Sequence, residues 1–174
     1  MGIQFETDYN METLTAMAKG LRRTVRKKRS RRVHIFAAVV LILGLLTILA
    51  TTAGGEPLGA SGVVTLLAML VVILVSLFED KLNAWFARKR LLPGTEHAVA
   101  TFEEDGYVSA TGVTESRFSY AQIVAVAETE RYFVFALSSH HTQAYDKRNI
   151  RGGSVEDFRA FIAEKTGKLV KNIK

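Results

Sequence analysis

Two apolar runs dominate the polarity pattern. From Val33 to Gly55 no residue carries a formal charge, and His34 is the only ionisable group. From Pro57 to Phe78 there is again no charge. Each run exceeds 20 residues, and at about 1.5 Å of rise per residue that crosses a hydrocarbon core of roughly 30 Å. Leu, Ile, Val and Ala fill both without a polar stripe, so the runs read as transmembrane helices over about 33–53 and 58–78. The Thr51–Gly62 stretch between them holds Pro57 and four glycines and folds the second run back across the bilayer. Gly55 and Gly59 have GxxxG spacing but sit in this turn, so they are read as turn residues and not as a helix-contact face.

After Pro93-Gly94 the polarity period changes to two. His97–Phe102, Tyr107–Thr111 and Glu115–Ser119 alternate like strands, with a turn at Glu104-Asp105-Gly106, where Asp-Gly suits positive backbone angles. Tyr120–Gln122 makes a short helical turn. Ile123–Ala127, Tyr132–Leu137 and Gln143–Asp146 are further strands. Ser154, with Asp157 three residues on, caps a helix whose face is Phe158, Phe161 and Ile162, and Gly167 stops it. The pattern is an antiparallel meander followed by one helix.

The N-terminal part is shorter to read. Ile3–Thr7 alternates and suits a short edge strand that pairs with the C-terminal domain. Asp8 or Asn10 caps a helix with an apolar stripe of Met11, Leu14, Met17, Ala18, Leu21 and Val25. This helix either meets the first span or lies in the membrane interface as a basic amphipathic helix.

The predicted division is therefore an N-terminal strand and basic helix (1–32), a two-helix membrane hairpin (33–78), an interfacial helix and linker (79–94) and a small α+β domain (95–174), an antiparallel sheet with a C-terminal helix.

Charge adds an orientation. Residues 1–32 carry nine basic and three acidic side chains, whereas residues 91–174 carry ten and eleven. The overall +6 thus belongs to the membrane flanks. Arg22, Arg23, Arg26, Lys27, Lys28, Arg29, Arg31 and Arg32 precede the first span, and Lys81, Arg88, Lys89 and Arg90 follow the second, while the loop holds only Glu56. The positive-inside rule puts both termini in the cytoplasm. A nearly neutral folded domain does not suit nucleic acid, which selects a basic face. The same flanks can meet anionic lipid headgroups, at about 1 kcal/mol per basic residue near the surface, or act as a topology signal alone. Trp85, on one face with Leu82 and Phe86 among basic residues, reads as an interface anchor. A cleavable signal peptide fits poorly: about 32 residues precede the apolar run, which is itself longer than a signal core of roughly 7–15.

Candidate chemistry is sparse. The chain has no cysteine, which removes thiolate nucleophiles, disulfides and Cys-ligated metals. His140-His141 with Asp146 offers at best a weak metal site, and Ser138-Ser139 beside these histidines lacks an oxyanion context. Arg151-Gly152-Gly153-Ser154 has neither the lysine nor the spacing of a phosphate loop. Glu103-Glu104-Asp105 are turn carboxylates. No ionisable residue sits deep in either span, against an ion path. No catalytic, metal or cofactor site is expected.

With its N-terminal strand-like Ile3–Thr7 ahead of an apolar hairpin, the chain resembles the YcxB-like family, small bacterial membrane proteins whose C-terminal domain resembles bacterial PH folds. Arg117-Phe118-Ser119-Tyr120-Ala121-Gln122-Ile123 leading into Tyr132-Phe133-Val134-Phe135, and Tyr145-Asp146-Lys147-Arg148 before the helix of Phe158 and Phe161, carry the likeness. The layout agrees over most of the chain, and specific residues over about 117–162. The resemblance implies a PH-like fold and a bacterial inner-membrane location, with no activity to carry over. Phosphoinositide binding wants Lys or Arg in the first hairpin, where this chain has Glu103-Glu104-Asp105-Gly106. The expected function is therefore a non-enzymatic, membrane-anchored module that docks an as yet unidentified protein partner. The alternative is a sensor of anionic lipid using Arg22–Arg32 and Arg88–Arg90. Self-association stays open.

Overall fold

The computed structural model describes residues 2–55 and 57–173; Glu56, the acidic residue of the expected loop, lies outside them. The chain divides into two compact units. One joins residues up to Lys27 with those from Asn83 onward, and the other is Lys28–Leu82. The N-terminal segment expected as a separate part up to residue 32 thus contributes its strand and first helix to the α+β unit.

The α+β unit contains two sheets where a single meander was expected. In chain order its elements are β1 (Ile3–Asp8), α1 (Met11–Arg23), the end of the helix Glu79–Lys89, β2 (His97–Phe102), β3 (Tyr107–Thr111), β4 (Glu115–Phe118), β5 (Ala125–Glu128), β6 (Tyr132–Ala136), β7 (Thr142–Asp146), β8 (Ile150–Arg151), a helix at Val155–Thr166 and β9 (Val170–Asn172). The first sheet has the order β4-β3-β2-β1-β8 and the second β7-β6-β5-β9. Every pairing is antiparallel except β5–β9. The expected N-terminal strand does pair with the domain, along all of β2, and is flanked on its other side by the two residues of β8.

Alternation explains the packing. β1 buries Ile3, Phe5 and Thr7 on one face, as period two requires. Phe5, Phe102, Tyr107, Phe133, Phe135, Tyr145 and Phe158 meet in one aromatic core. Its rings take edge-to-face contacts, as between Phe5 and Phe158 at 4.6 Å, or stack, as Phe102 and Tyr107 do at 4.9 Å. β6 is buried on both faces. Phe133 and Phe135 enter the aromatic core, while Tyr132 and Val134 join Ala16 and Met17 of α1 in a second cluster. The helix α1 is therefore a packed layer of this unit and not an interfacial helix. Asn10 caps it, accepting from the N–H groups of Glu12 (2.9 Å) and Thr13 (3.0 Å).

The helix after β8 begins with a reciprocal Ser154–Asp157 capping box and ends at Gly167 with φ +62°. Gly106 works differently from its expected role. It does not take a positive φ; instead a Cβ there would lie 2.5 Å from the Phe118 carbonyl oxygen, so the glycine is needed for close approach of two backbones.

The second unit holds the two apolar helices. We number them α2 (Lys27–Ala53) and α3 (Ala60–Leu77), then α4 for Glu79–Lys89 and α5 for Val155–Thr166. Both α2 and α3 are long and apolar enough to cross a membrane, and neither buries a residue. Gly55 takes φ +76° and Gly59 is the N-cap of α3, so both are turn residues. The hydroxyls of Thr47, Thr51 and Thr65 donate to the carbonyls four residues back, at 2.9, 3.0 and 2.9 Å. In hydrocarbon this satisfies groups that no water can reach. α1 does not run into α2. It ends at Arg23, where the Thr24 hydroxyl donates to the Gly20 carbonyl at 2.6 Å, and α2 restarts at Lys27.

Candidate functional site

The basic residues singled out in the sequence fall into both units. In the α+β unit, Arg22 and Arg23 end α1, where cations suit the helix dipole. The Arg23 carbonyl accepts from Lys171 Nζ at 2.6 Å, and Arg26 Nε donates to the Ser139 carbonyl at 2.6 Å. Arg26 is thus part of the stitching that holds the end of α1 to the domain. Arg88 and Lys89 sit in the last turn of α4, with Arg90 next, all exposed. Lys89 Nζ lies 3.6 Å from the Trp85 ring centre, and Trp85 meets Phe86 edge-on at 4.9 Å. Both rings stay about half exposed, Trp85 at 44% and Phe86 at 52%, while Ala84 is fully buried.

In the other unit Lys28, Arg29, Arg31 and Arg32 occupy the first turns of α2 and are exposed; Lys27 opens the same helix. No acidic residue accompanies them in the first turn. A helix N-terminus carries partial positive charge, so cations there cost about 0.3–1 kcal/mol each. Helix stability does not account for this block.

The ionisable residues inside the α+β unit are committed to one another. Asp146, 3% exposed, accepts from Arg131 Nε (2.9 Å) and Nη2 (2.7 Å) and from Arg148 Nη2 (3.2 Å). Arg131 also reaches Glu12 on α1. Glu128, 5% exposed, receives both Nε and Nη2 of Arg159 (2.8 and 2.7 Å) and Lys147 Nζ (3.0 Å). The Arg159 bonds first, and Lys147 next, hold the Glu128 carboxyl below its usual pKa against the opposing effect of burial.

Asp146 is therefore not a ligand awaiting His140 and His141. Among the described residues no three His, Asp or Glu groups are placed to hold a metal ion. Ser139 Oγ is 2.7 Å from His140 Nδ1, but both residues are exposed, and the Ser138 hydroxyl accepts from the N–H groups of His140 and His141 in an ordinary turn. The Ser154 N–H faces the Asp157 carboxylate at 3.2 Å, so the Gly152-Gly153 helix start carries its own anion. The Glu103–Gly106 turn is closed by the Tyr120 hydroxyl, which donates to the carbonyls of Glu103 (2.5 Å) and Gly106 (2.9 Å).

One surface feature had no motif to announce it. β4 terminates the first sheet, and Glu115, Ser116 and Arg117 on it are exposed. An outermost strand presents unpaired N–H and C=O groups to any strand laid beside it.

The family model described as YcxB-like protein matches residues 102–162, from the end of β2 through most of α5. No curated protein and no solved structure matches the chain.

Proposed function

We propose that this chain is a membrane-anchored, non-enzymatic interaction module of a bacterial inner membrane. The helices α2 and α3 hold it in the bilayer with both termini cytoplasmic, and the PH-like α+β unit docks a protein partner. The observation that carries this reading is the contrast between the two units. Neither α2 nor α3 buries any residue, whereas the α+β unit closes over its own aromatic core and pairs its buried charges. A helix apolar all round needs a lipid environment. The free edge of β4 suits a partner that adds one extended segment by main-chain hydrogen bonds. The test is extraction of the tagged chain with its native membrane patch, followed by mass spectrometry of protein and lipid. A specific partner near equal amount, lost on Arg117→Pro, supports docking; recovery of no partner contradicts it. Recovery of a second copy alone would make the partner the chain itself.

A second reading is favoured by the cations at the start of α2 and by Trp85 beneath Lys89. In it the basic flanks gather anionic lipid and set the posture of the domain. Vesicle contacts that do not change with anionic lipid content or with salt would remove it.

A further inference from the structure

The first sheet ends on an open strand, and the charges along that strand select what can lie beside it. The other strand edges are short or closed. β7, at the end of the second sheet, is buried from Gln143 to Asp146, and the Asp146 N–H donates to the Thr7 hydroxyl at 3.0 Å. β8 has two residues and β9 three. β4 is the longest open edge, with Glu115, Ser116 and Arg117 all exposed.

Hydrogen-bond parity decides which of its groups face outwards. The Thr111 N–H donates to the Thr114 carbonyl at 2.7 Å, so these residues form a hydrogen-bonded pair at the mouth of the β3–β4 hairpin. Bonded and non-bonded pairs alternate along an antiparallel ladder. Ser116 opposite Ser109, and Phe118 opposite Tyr107, therefore bond to β3. Glu115 and Arg117 turn their N–H and C=O groups away from it, and a strand added here must bond to those two residues. Their side chains are of opposite sign and accessible. Arg117 is 76% exposed and makes one long ion pair, with Glu103 at 3.9 Å; Glu115 makes none among the described residues.

Two copies of β4 laid antiparallel satisfy this edge. With Ser116 opposite Ser116 of the second copy, Glu115 of each copy exchanges main-chain bonds with Arg117 of the other. The two side chains then lie directly opposite, where unlike charges attract. A slip of two residues either way puts Glu115 or Arg117 opposite its own counterpart, and like charges so placed are destabilising. A slip of one sets outward-facing backbone groups against inward-facing ones. Charges on an outer strand ordinarily discourage pairing; here the alternation of sign makes one register attractive. We infer that β4 pairs with β4 of a second copy, antiparallel and centred on Ser116. The inference rests on the docking reading above and names its partner. The contact is isologous. The strand is short, so the contact belongs to the transient class and forms where α2 and α3 confine both copies to one membrane, which raises their effective concentration.

Disulfide trapping of the full chain in native membranes tests it, because the chain has no cysteine. A directly opposite, non-hydrogen-bonded pair has Cα atoms about 4.5 Å apart, within the range of roughly 4.4–6.8 Å that a disulfide spans. Ser116→Cys should form a covalent dimer under mild oxidation with copper phenanthroline. Ser139→Cys, at an exposed turn position, reports random collision and should form it far more slowly. On the Ser116→Cys background, Glu115→Arg and Arg117→Glu should each slow dimer formation at least about fivefold. Placing both changes in one chain, or co-expressing the two single variants, should restore it, because each arrangement returns unlike charges to opposite positions. Misfolding would not be rescued in this way. No dimer beyond the Ser139→Cys level, or a dimer indifferent to the charge changes, would overturn the inference. A disulfide from position 116 to a different protein would overturn self-pairing and leave the docking reading standing.

Discussion

Gly20 tests whether α1 is a layer of the domain. A Cβ at Gly20 would lie 2.6 Å from Val134 Cγ1 and 2.9 Å from Val134 Cβ. Val134 is 1% exposed on β6, is β-branched and stiff at χ1, and sits in a strand buried on both faces. Neither partner can swing away. Gly20→Ala therefore overpacks the interface at a cost of about 1–3 kcal/mol, offset by roughly 1 kcal/mol of helix propensity. The net is a loss of about 0–2 kcal/mol. Val134→Ala alone removes two buried methyl groups and costs roughly 1–3 kcal/mol. In the double variant the new methyl at position 20 enters the space vacated at 134. The two losses then do not add, and a favourable coupling of about 1–2 kcal/mol appears. The assay is denaturant unfolding of the full chain in nanodiscs, followed by near-ultraviolet circular dichroism of the buried tyrosines. If α1 lay in the membrane interface, Gly20→Ala would be stabilising by about 1 kcal/mol and the double-variant cycle would show no coupling. That outcome would refute the packing.

Phe158→Ala should cost about 3–5 kcal/mol in the same assay, because Phe158 is fully buried within 5.1 Å of Phe5, Phe102 and Phe133. Glu128→Ala should cost about 3 kcal/mol, the lower end for breaking a buried pair, because Arg159 is 39% exposed and regains water. Its folded pKa is depressed, so its contribution is present above the ordinary carboxylate pKa of about 4.3 and lost as pH falls through the lower folded value. An acid titration of stability should fall less steeply below about pH 4 in the variant; an unchanged slope would contradict the pairing. Trp85 is the only tryptophan, so its fluorescence should be quenched by brominated lipid, and reversing Arg88, Lys89 and Arg90 to Glu should weaken that quenching in anionic more than in neutral bilayers.

The strands β2 to β7 and the cap, face and stop of α5 were legible because each rests on local chemistry: period-two alternation, a Ser-x-x-Asp box, a C-terminal Gly. The apolar spans were legible from length alone. The buried face of α1 was less so. It comprises Thr13, Leu14, Ala16, Gly20 and Leu21, while Val25, expected on its stripe, falls beyond its last residue. Thr13 and Gly20 do not register as apolar and Ala16 lies off the expected stripe, yet the small Ala16 and Gly20 are what let the helix sit close to Val134. β9 has three residues and one apolar side chain, too little pattern to announce a parallel strand beside β5. The division into two sheets depends on long-range pairing that no local window contains. The ion pairs Arg131–Glu12 and Arg159–Glu128 join residues far apart in sequence, so no spacing signals them.

The membrane anchor is the claim on which the rest depends, and the absence of native cysteine makes it directly measurable. Two single-cysteine variants serve: Ser61→Cys, near the turn between α2 and α3, and Ser139→Cys, in the α+β unit. Each would be labelled in intact cells and in inverted membrane vesicles with an impermeant maleimide. With both termini cytoplasmic, the thiol introduced at position 61 should react only from outside the inner membrane. The thiol at position 139 should react only from the cytoplasmic side, and both variants should stay with the membrane after alkaline carbonate. Release of the chain by carbonate, or labelling of both positions from one side, would contradict the anchor and its orientation.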